Sequence, residues 1–207
     1  MQRRVTALDT LKIQLRREAR QKRQAVSALA RHAAAFSLIR EARQRGLLKR
    51  GRKIAAYVPQ GSEFPVWPLV LAALQAGCAV YLPVVPRSGR QLSFVRFDEH
   101  TRWQSGTYGI PEPRHPEIIS ARALDLVLLP LLAFDASLYR LGQGGGFYDT
   151  SFAFRRHRSH WRKPLLIGVA YSCQEIPLVP AAKWDLQLDG MLTEKGFFGR
   201  NGTRRND

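Results

Sequence analysis

Apolar residues recur along this chain with two periods, near 3.6 and near 2, and the switches between them predict a series of helices and strands. Over residues 8–28, Leu8, Leu11, Leu15 and Ala19 stand three and four apart, the stripe of an amphipathic helix facing a core. Residues 33–47 read as a second helix that ends near Gly46. A strand over 53–59 follows, then a helix over 66–76 closed by Gly77. Residues 78–85 form another strand, stopped by Pro86, and 91–97 alternate as an edge strand or hairpin arm after a turn at Ser88-Gly89. Residues 124–129 and 165–171 are short continuous apolar runs, read as buried strands with a helix after Asp149 between them. A last strand-like run covers 186–192.

Strands alternating with helices imply an α/β fold with a mostly parallel central sheet and helices on both faces, Rossmann-like in layout. At 207 residues and 45% hydrophobic content, one core suffices. Residues 1–195 are expected as a single catalytic domain, two helices and then the α/β body, and 196–207 as a disordered basic tail. No apolar stretch approaches the ~20 residues that span a bilayer. The first residues are charged and no apolar signal-peptide core follows, with Asp9 and Glu18 arguing against a transit peptide. Cys78 and Cys173 have no metal-ligand spacing and read as reduced structural thiols. The expected setting is the cytoplasm, and the expected state a monomer.

Charge changes this picture. Lysine and arginine number 33 against 16 acidic residues, a net charge of +17. Residues 1–54 carry 16 basic and 3 acidic residues, so most of the excess lies in the first quarter; a second basic cluster covers 155–163. Such a field attracts polyanions, nucleic acid included, through a salt-sensitive term without sequence specificity. No zinc-finger spacing or RNA-recognition signature accompanies it. Nucleic-acid binding is therefore read as adventitious, and the field as steering for anionic small substrates. The five histidines, His32, His100, His115, His157 and His160, fall at no catalytic or metal spacing and are assigned to the surface.

The candidate chemistry concentrates in residues 140–149, Arg-Leu-Gly-Gln-Gly-Gly-Gly-Phe-Tyr-Asp. Gly142, Gly144, Gly145 and Gly146 permit close backbone approach and a concave nest for an anion. Arg140 adds a planar fork for phosphate, and Asp149 a hard oxygen ligand of the kind Mg²⁺ takes together with substrate phosphates. The strand at 124–129 ends at Pro130, a loop over 131–139 follows, and Phe147 opens the next helix, whose positive end would face the loop. The segment lacks the Lys-Ser/Thr of a P-loop, and Phe147 stands where a dinucleotide fingerprint needs a third glycine. It reads as a site for a metal-chelated nucleotide. Lys12 and Arg16, four apart, share a helix face, and Glu63 follows a strand-end loop over 57–62.

The ordered set resembles the 5-formyltetrahydrofolate cyclo-ligase family from about Leu11 to Glu194. It is carried by the 124–130 strand, Phe134-Asp135, the 140–149 segment, Lys12 and Arg16, residues 57–63, Tyr108 to Pro113, and Val179-Pro180 followed by Asp185. The resemblance implies a fold like that of the ribose-phosphate isomerase and CoA-transferase groups. It further implies ATP-driven closure of 5-formyltetrahydrofolate, free or polyglutamylated, to 5,10-methenyltetrahydrofolate, with release of ADP and phosphate. On the same basis Lys12 and Arg140 are catalytic. The ATP contacts are Lys12, Ile13, Gln14, Leu15 and Arg16, together with Arg140, Leu141, Gly142, Gln143, Gly144, Gly145, Gly146, Phe147 and Tyr148. Val58, Glu63, Tyr108, Gln143, Gly144, Gly145, Gly146 and Phe147 would contact folate, and Asp149 with Asp185 would hold Mg²⁺. Asp185 is preferred to Asp189 by its spacing from Val179-Pro180. Gln143 stands where many members have arginine, and Phe147 where many have tyrosine. Two alternatives carry different chemistry: a basic nucleic-acid-associated protein, and a related enzyme of the same fold that works without ATP.

Overall fold

The computed structural model describes residues 6–157 and 163–200, without the side chains of Tyr108 and His157. Helix α1 (Ala7–Gln24) starts at Thr6, whose hydroxyl accepts from the Asp9 amide while the Asp9 carboxylate accepts from the Thr6 amide, a reciprocal cap. The chain turns at 25–27, and Ser27 caps α2 (Ala28–Gln44) by accepting from the Ala30 amide at 3.2 Å. One continuous helix over 8–28 was expected. A hydroxyl able to cap the next helix ends the first one instead.

Strands β1 (Lys53–Ala55), β2 (Ala79–Val84) and β3 (Ser93–Phe97) follow, with α3 (Trp67–Gln75) between the first two. A small hairpin, β4 (Arg102–Ser105) and β5 (Pro111–Arg114), carries Tyr108 in its connecting turn. Beyond it come β6 (Ile118–Ile119) and β7 (Leu126–Pro130), then a second hairpin of β8 (Ala133–Phe134) and β9 (Arg140–Leu141). The last elements are α4 (Phe147–Ser151), β10 (Leu165–Val169), β11 (Gly190–Thr193) and β12 (Gly196–Gly199).

Eight strands form the central sheet in the order β12-β11-β10-β7-β1-β2-β3-β6. The middle strands β11, β10, β7, β1 and β2 run parallel, and the two margins turn antiparallel. The continuous apolar runs of β7 and β10 are explained by burial on both faces. Their alternate residues enter different layers. Leu126, Leu128, Ile167 and Val169 pack with α2 and α3, whereas Val127, Leu129 and Leu166 pack with Phe94, Phe152 and Met191. The second face is covered by the single turn α4 and short 3₁₀ turns rather than by long helices.

Several sequence expectations need correction. Gly196–Gly199 is the edge strand β12, paired with β11 from Gly190↔Gly199 to Thr193↔Gly196, so the ordered body extends past residue 195. Residues 201–207 of the expected tail lie outside the described residues, as do 158–162 of the second basic cluster, His160 among them, and the His157 side chain. The expected loop over 131–139 contains β8 and closes a hairpin, because Asp135 takes the Tyr139 amide at 3.0 Å and the Val179 amide at 2.9 Å. The helix after Asp149 is only five residues long, so a helix dipole contributes little at the glycine segment. Cys173 is exposed, unlike Cys78, and no disulfide joins them. His115 is mostly buried, with Nε2 3.6 Å from Asp98. Leu8 and Leu11 are exposed; the buried side of α1 instead combines Ala19 and Arg23 with partly covered Lys12, Leu15 and Arg16.

Candidate active site

The parallel strand β7 delivers the chain to the β8–β9 hairpin, and β9, whose Leu141 carbonyl accepts the Leu132 amide at 2.8 Å just past the carboxyl end of β7, opens the glycine segment. Arg140, on β9, is nearly inaccessible. It donates to the Leu186 carbonyl at 3.0 Å and to Asp149 Oδ1 at 2.9 Å. Asp149 Oδ1 also accepts the Leu186 amide at 3.1 Å. One residue earlier, Asp185 Oδ2 accepts the Ala182 amide at 2.8 Å and lies 3.3 Å from Lys12 Nζ. Thus the hydrogen bonds of Leu186 bring Asp149 and Asp185 to neighbouring positions, each beside a basic side chain.

Among the described residues no group of three or more His, Cys, Asp or Glu stands ready to hold a metal. Two carboxylates completed by phosphate oxygens and water are nevertheless the donor set that Mg²⁺ ordinarily accepts, so Asp149 and Asp185 fit it. Asp189, the rejected neighbour, is committed elsewhere. It grips Arg155 through two bonds of 2.6 and 2.9 Å and accepts the Leu166 amide at 2.8 Å.

Within the loop, glycine is required for two reasons. Gly144 and Gly146 take φ of +104° and +71°, a region costly for L residues. Gly145 lies outside that region, but a Cβ there would come within 2.8 Å of the Phe147 ring. Gly142 meets neither demand, with open space around a built Cβ. Its carbonyl accepts from Arg16 Nε at 2.9 Å, tying α1 to the loop.

The other end of the loop meets the segment after β1. Gln143 Nε2 donates to Glu63 Oε1 at 3.4 Å, and Glu63 Oε2 accepts the Gln60 amide at 3.1 Å. Tyr57 donates to the Phe64 carbonyl at 3.0 Å and so closes the 57–64 loop. Burial first, then the Glu63 charge, pushes the Tyr148 phenol well above its ordinary value against the opposing effect of Arg140, and its hydroxyl stays protonated. Val58 packs at the margin of the helix-covered core. Ile13 and Gln14 point away, exposed, and only Lys12, Leu15 and Arg16 of that stretch turn inward. Tyr108 is placed by its backbone alone, in the turn Thr107–Gly109.

Two buried groups here escaped the sequence. Arg23 donates to Ser62 Oγ at 3.0 Å and to the Leu131 carbonyl at 3.4 Å, and burial, offset by the Glu63 charge, lowers its guanidinium from the usual value. Gln174 donates to the carbonyls of Leu131 and Leu132 at 2.9 and 3.0 Å. The spacing of Lys12, Arg16, Arg20 and Arg23 along one helix face was the signal available for the first; nothing in the sequence marked the second.

Comparison with known proteins gives the family of the chain. The 5-formyltetrahydrofolate cyclo-ligase family model matches residues 9–194. A 5-formyltetrahydrofolate cyclo-ligase of Haemophilus influenzae is 31% identical over 182 residues, covering 86% of this chain and 95% of its own. One from Escherichia coli K12 is 32% identical over 143 residues, covering 68% and 76%. The solved structure of Aquifex aeolicus 5,10-methenyltetrahydrofolate synthetase superposes with a TM-score of 0.77 at 29% identity, over 95% of this chain and 96% of that one. No described helix is long and apolar enough to cross a membrane. The chain belongs to the 5-formyltetrahydrofolate cyclo-ligase family.

Proposed function

We propose that this protein closes 5-formyltetrahydrofolate to 5,10-methenyltetrahydrofolate with ATP, and that the site built on the glycine segment performs both halves of the reaction. The observation that carries this reading is the segment's two-ended arrangement. Arg140–Asp149 and Lys12–Asp185 gather at one end, and Gln143 reaches Glu63 at the other. Phosphates belong at the first end and the pterin at the second.

The N5 formyl group is an amide, whose oxygen leaves poorly. The formyl oxygen attacks the γ-phosphorus of ATP while the bond to the β–γ bridging oxygen breaks and its electron pair departs with ADP. The N5 lone pair becomes a C=N bond, giving an iminium phosphate. N10 adds to that carbon and loses its proton, the C–O bond breaks, and inorganic phosphate leaves with the pair. Such phosphoryl transfer demands positioning and charge neutralisation more than covalent help. Arg140, Lys12 and Arg16 supply positive charge along the phosphates. Asp149 and Asp185 are the carboxylates that would hold Mg²⁺, whose contribution there is neutralisation of phosphate oxygens. Glu63 accepts hydrogen bonds from the pterin ring, Val58 and Phe147 offer apolar contact, and Tyr108 is the candidate stacking group. No Ser-His-Asp or Cys-His arrangement is needed.

Mixing the protein with 5-formyltetrahydrofolate and Mg-ATP should produce the absorbance of the methenyl product, and omission of ATP should abolish it. Product formation without ATP would sink the reading.

A further inference from the structure

We propose that Arg20 is a further catalytic cation of this site, standing where the phosphoryl group passes to the formyl oxygen, with Gln143 as its positioning residue; this rests on the cyclo-ligase reading above. The contacts of α1 are ordered along its axis. Lys12 meets Asp185, Arg16 Nε meets the Gly142 carbonyl at 2.9 Å, and Arg20 meets Gln143 Oε1 at 2.7 Å. Arg23 then meets Ser62 Oγ at 3.0 Å, beside Glu63. The helix thus runs from the carboxylate end of the site to the folate end. Lys12 and Arg20 are eight residues apart, or about 12 Å of helix. A γ-phosphoryl group leaving the nucleotide for the pterin travels in the direction that leads to Arg20.

Gln143 makes this placement definite. Its amide oxygen accepts from Arg20, and its amide nitrogen donates to Glu63 at 3.4 Å. One side chain therefore joins the helix cation to the folate-side carboxylate. Arg20 is exposed and uses one of its five donors in this bond, leaving the rest of its planar fork for a ligand. Among the described residues neither Arg16 nor Arg20 forms an ion pair. Burial first, and the Arg20 charge second, lowers the Arg16 guanidinium from its ordinary value, so the two cations lie within each other's field. An anion between them relieves that repulsion. The charge that gathers on the transferring phosphoryl oxygens, and on the phosphate that later leaves, is such an anion. The ordinary alternative is a solvated arginine resting on a glutamine.

The test compares wild type, Arg20→Gln, Arg20→Lys and Gln143→Leu by steady-state methenyl-folate formation, with titrations of ATP and 5-formyltetrahydrofolate and thermal unfolding of each. Arg20→Gln should lower kcat on the order of a hundredfold while ATP affinity stays within about threefold, since the interaction is made chiefly in the transition state. Arg20→Lys should recover part of the loss, as a point charge without the fork. Gln143→Leu should lower kcat by about tenfold, through misplacement of the guanidinium. Unfolding midpoints should not move, because Arg20 and Gln143 are both exposed. An Arg20→Gln kcat close to wild type, or a loss confined to ATP affinity, overturns the role of Arg20 and leaves the cyclo-ligase reading intact. A wild-type protein that forms no product with ATP overturns both.

Discussion

Two aspartates four residues apart, Asp185 and Asp189, are each joined to basic side chains, and they show how burial separates a closed ion pair from an open one. Asp189 and Arg155 are both almost sealed from solvent, at 9% and 4% exposure, and their bonds are bidentate. Asp189 also takes the Leu166 amide of β10, which locks the sheet to the 3₁₀ turn Ala153–His157. Asp185 and Lys12 keep 21% and 16% exposure and meet through one bond of 3.3 Å. The Asp149–Arg140 pair is intermediate: the arginine is buried at 6%, and the carboxylate is open at 26%. A closed pair whose two carboxylate oxygens are both held by buried donors has little to offer a ligand. A pair with an accessible carboxylate beside the glycine segment can exchange its partner.

The sharpest way to break this contrast is Asp189→Ala. Removing one member of a buried pair leaves an uncompensated charge and should destabilise the fold by about 3–5 kcal/mol. Denaturant unfolding would measure it; a change under about 1 kcal/mol would place Asp189 with the surface pairs, whose worth is of that size. Asp149→Asn is the counterpart. The amide oxygen still accepts from Arg140 and Leu186, so the cost of taking the counter-charge from buried Arg140 should stay below that of Asp189→Ala, while turnover falls on the order of a hundredfold, about 2.7 kcal/mol of transition-state stabilisation. Raising magnesium should restore part of the rate. Wild-type turnover at limiting magnesium would remove Asp149 from the metal assignment.

The same contrast explains what could be read from the sequence. Strands β7 and β10 lie within the predicted 124–129 and 165–171 apart from an end residue, because burial on both faces writes a continuous apolar run. The glycine segment and Asp149 stood out because few residue types perform their chemistry, whereas Asp185 came only with the family resemblance. Other features left no periodic trace. β8 and β9 are two residues each, too short to show a period, and are held by Asp135 and by main-chain bonds to Leu141 and Tyr139. Phe197-Phe198 of β12, flanked by glycines and a basic tail, resembled the start of disorder. The α1 stripe was misassigned because Arg23 is buried by a hydroxyl and a carbonyl acceptor, partners that hydrophobic patterning cannot detect.

A smaller effect sharpens the difference between the two ends of the site. Glu63→Ala removes a carboxylate from the end of the site proposed for the pterin, so 5-formyltetrahydrofolate binding should weaken by about 1.5–3 kcal/mol, roughly ten- to a hundredfold. ATP affinity should remain near wild type. Separate equilibrium titrations of the two ligands distinguish the outcomes. Equal losses would mean the 57–64 loop had collapsed, and no loss for either would make Glu63 a surface charge.

The smallest effect belongs to the most open of these pairs, Asp125 with Lys163, whose lysine is 55% exposed at an Nζ–Oδ1 distance of 2.7 Å. Burial alone would raise the Asp125 carboxyl, but the Lys163 hydrogen bond and the Lys53 amide at 2.9 Å outweigh it, and the carboxyl ends below its usual value. A carboxylate held lower in the folded state than in the unfolded chain adds stability that is fully present above the unfolded value, near 3.9, and is lost as pH falls through the folded one. Solvent screening keeps that contribution to about 1 kcal/mol or less. Asp125→Asn should therefore cost little at neutral pH. Its unfolding free energy should converge on that of wild type as pH drops below about 3.9, where the wild-type carboxylate takes up its proton. Denaturant unfolding of both proteins from neutral pH downward measures the gap. A gap that widens on acidification would show that Asp125 acts through packing at the start of β1 rather than through its charge.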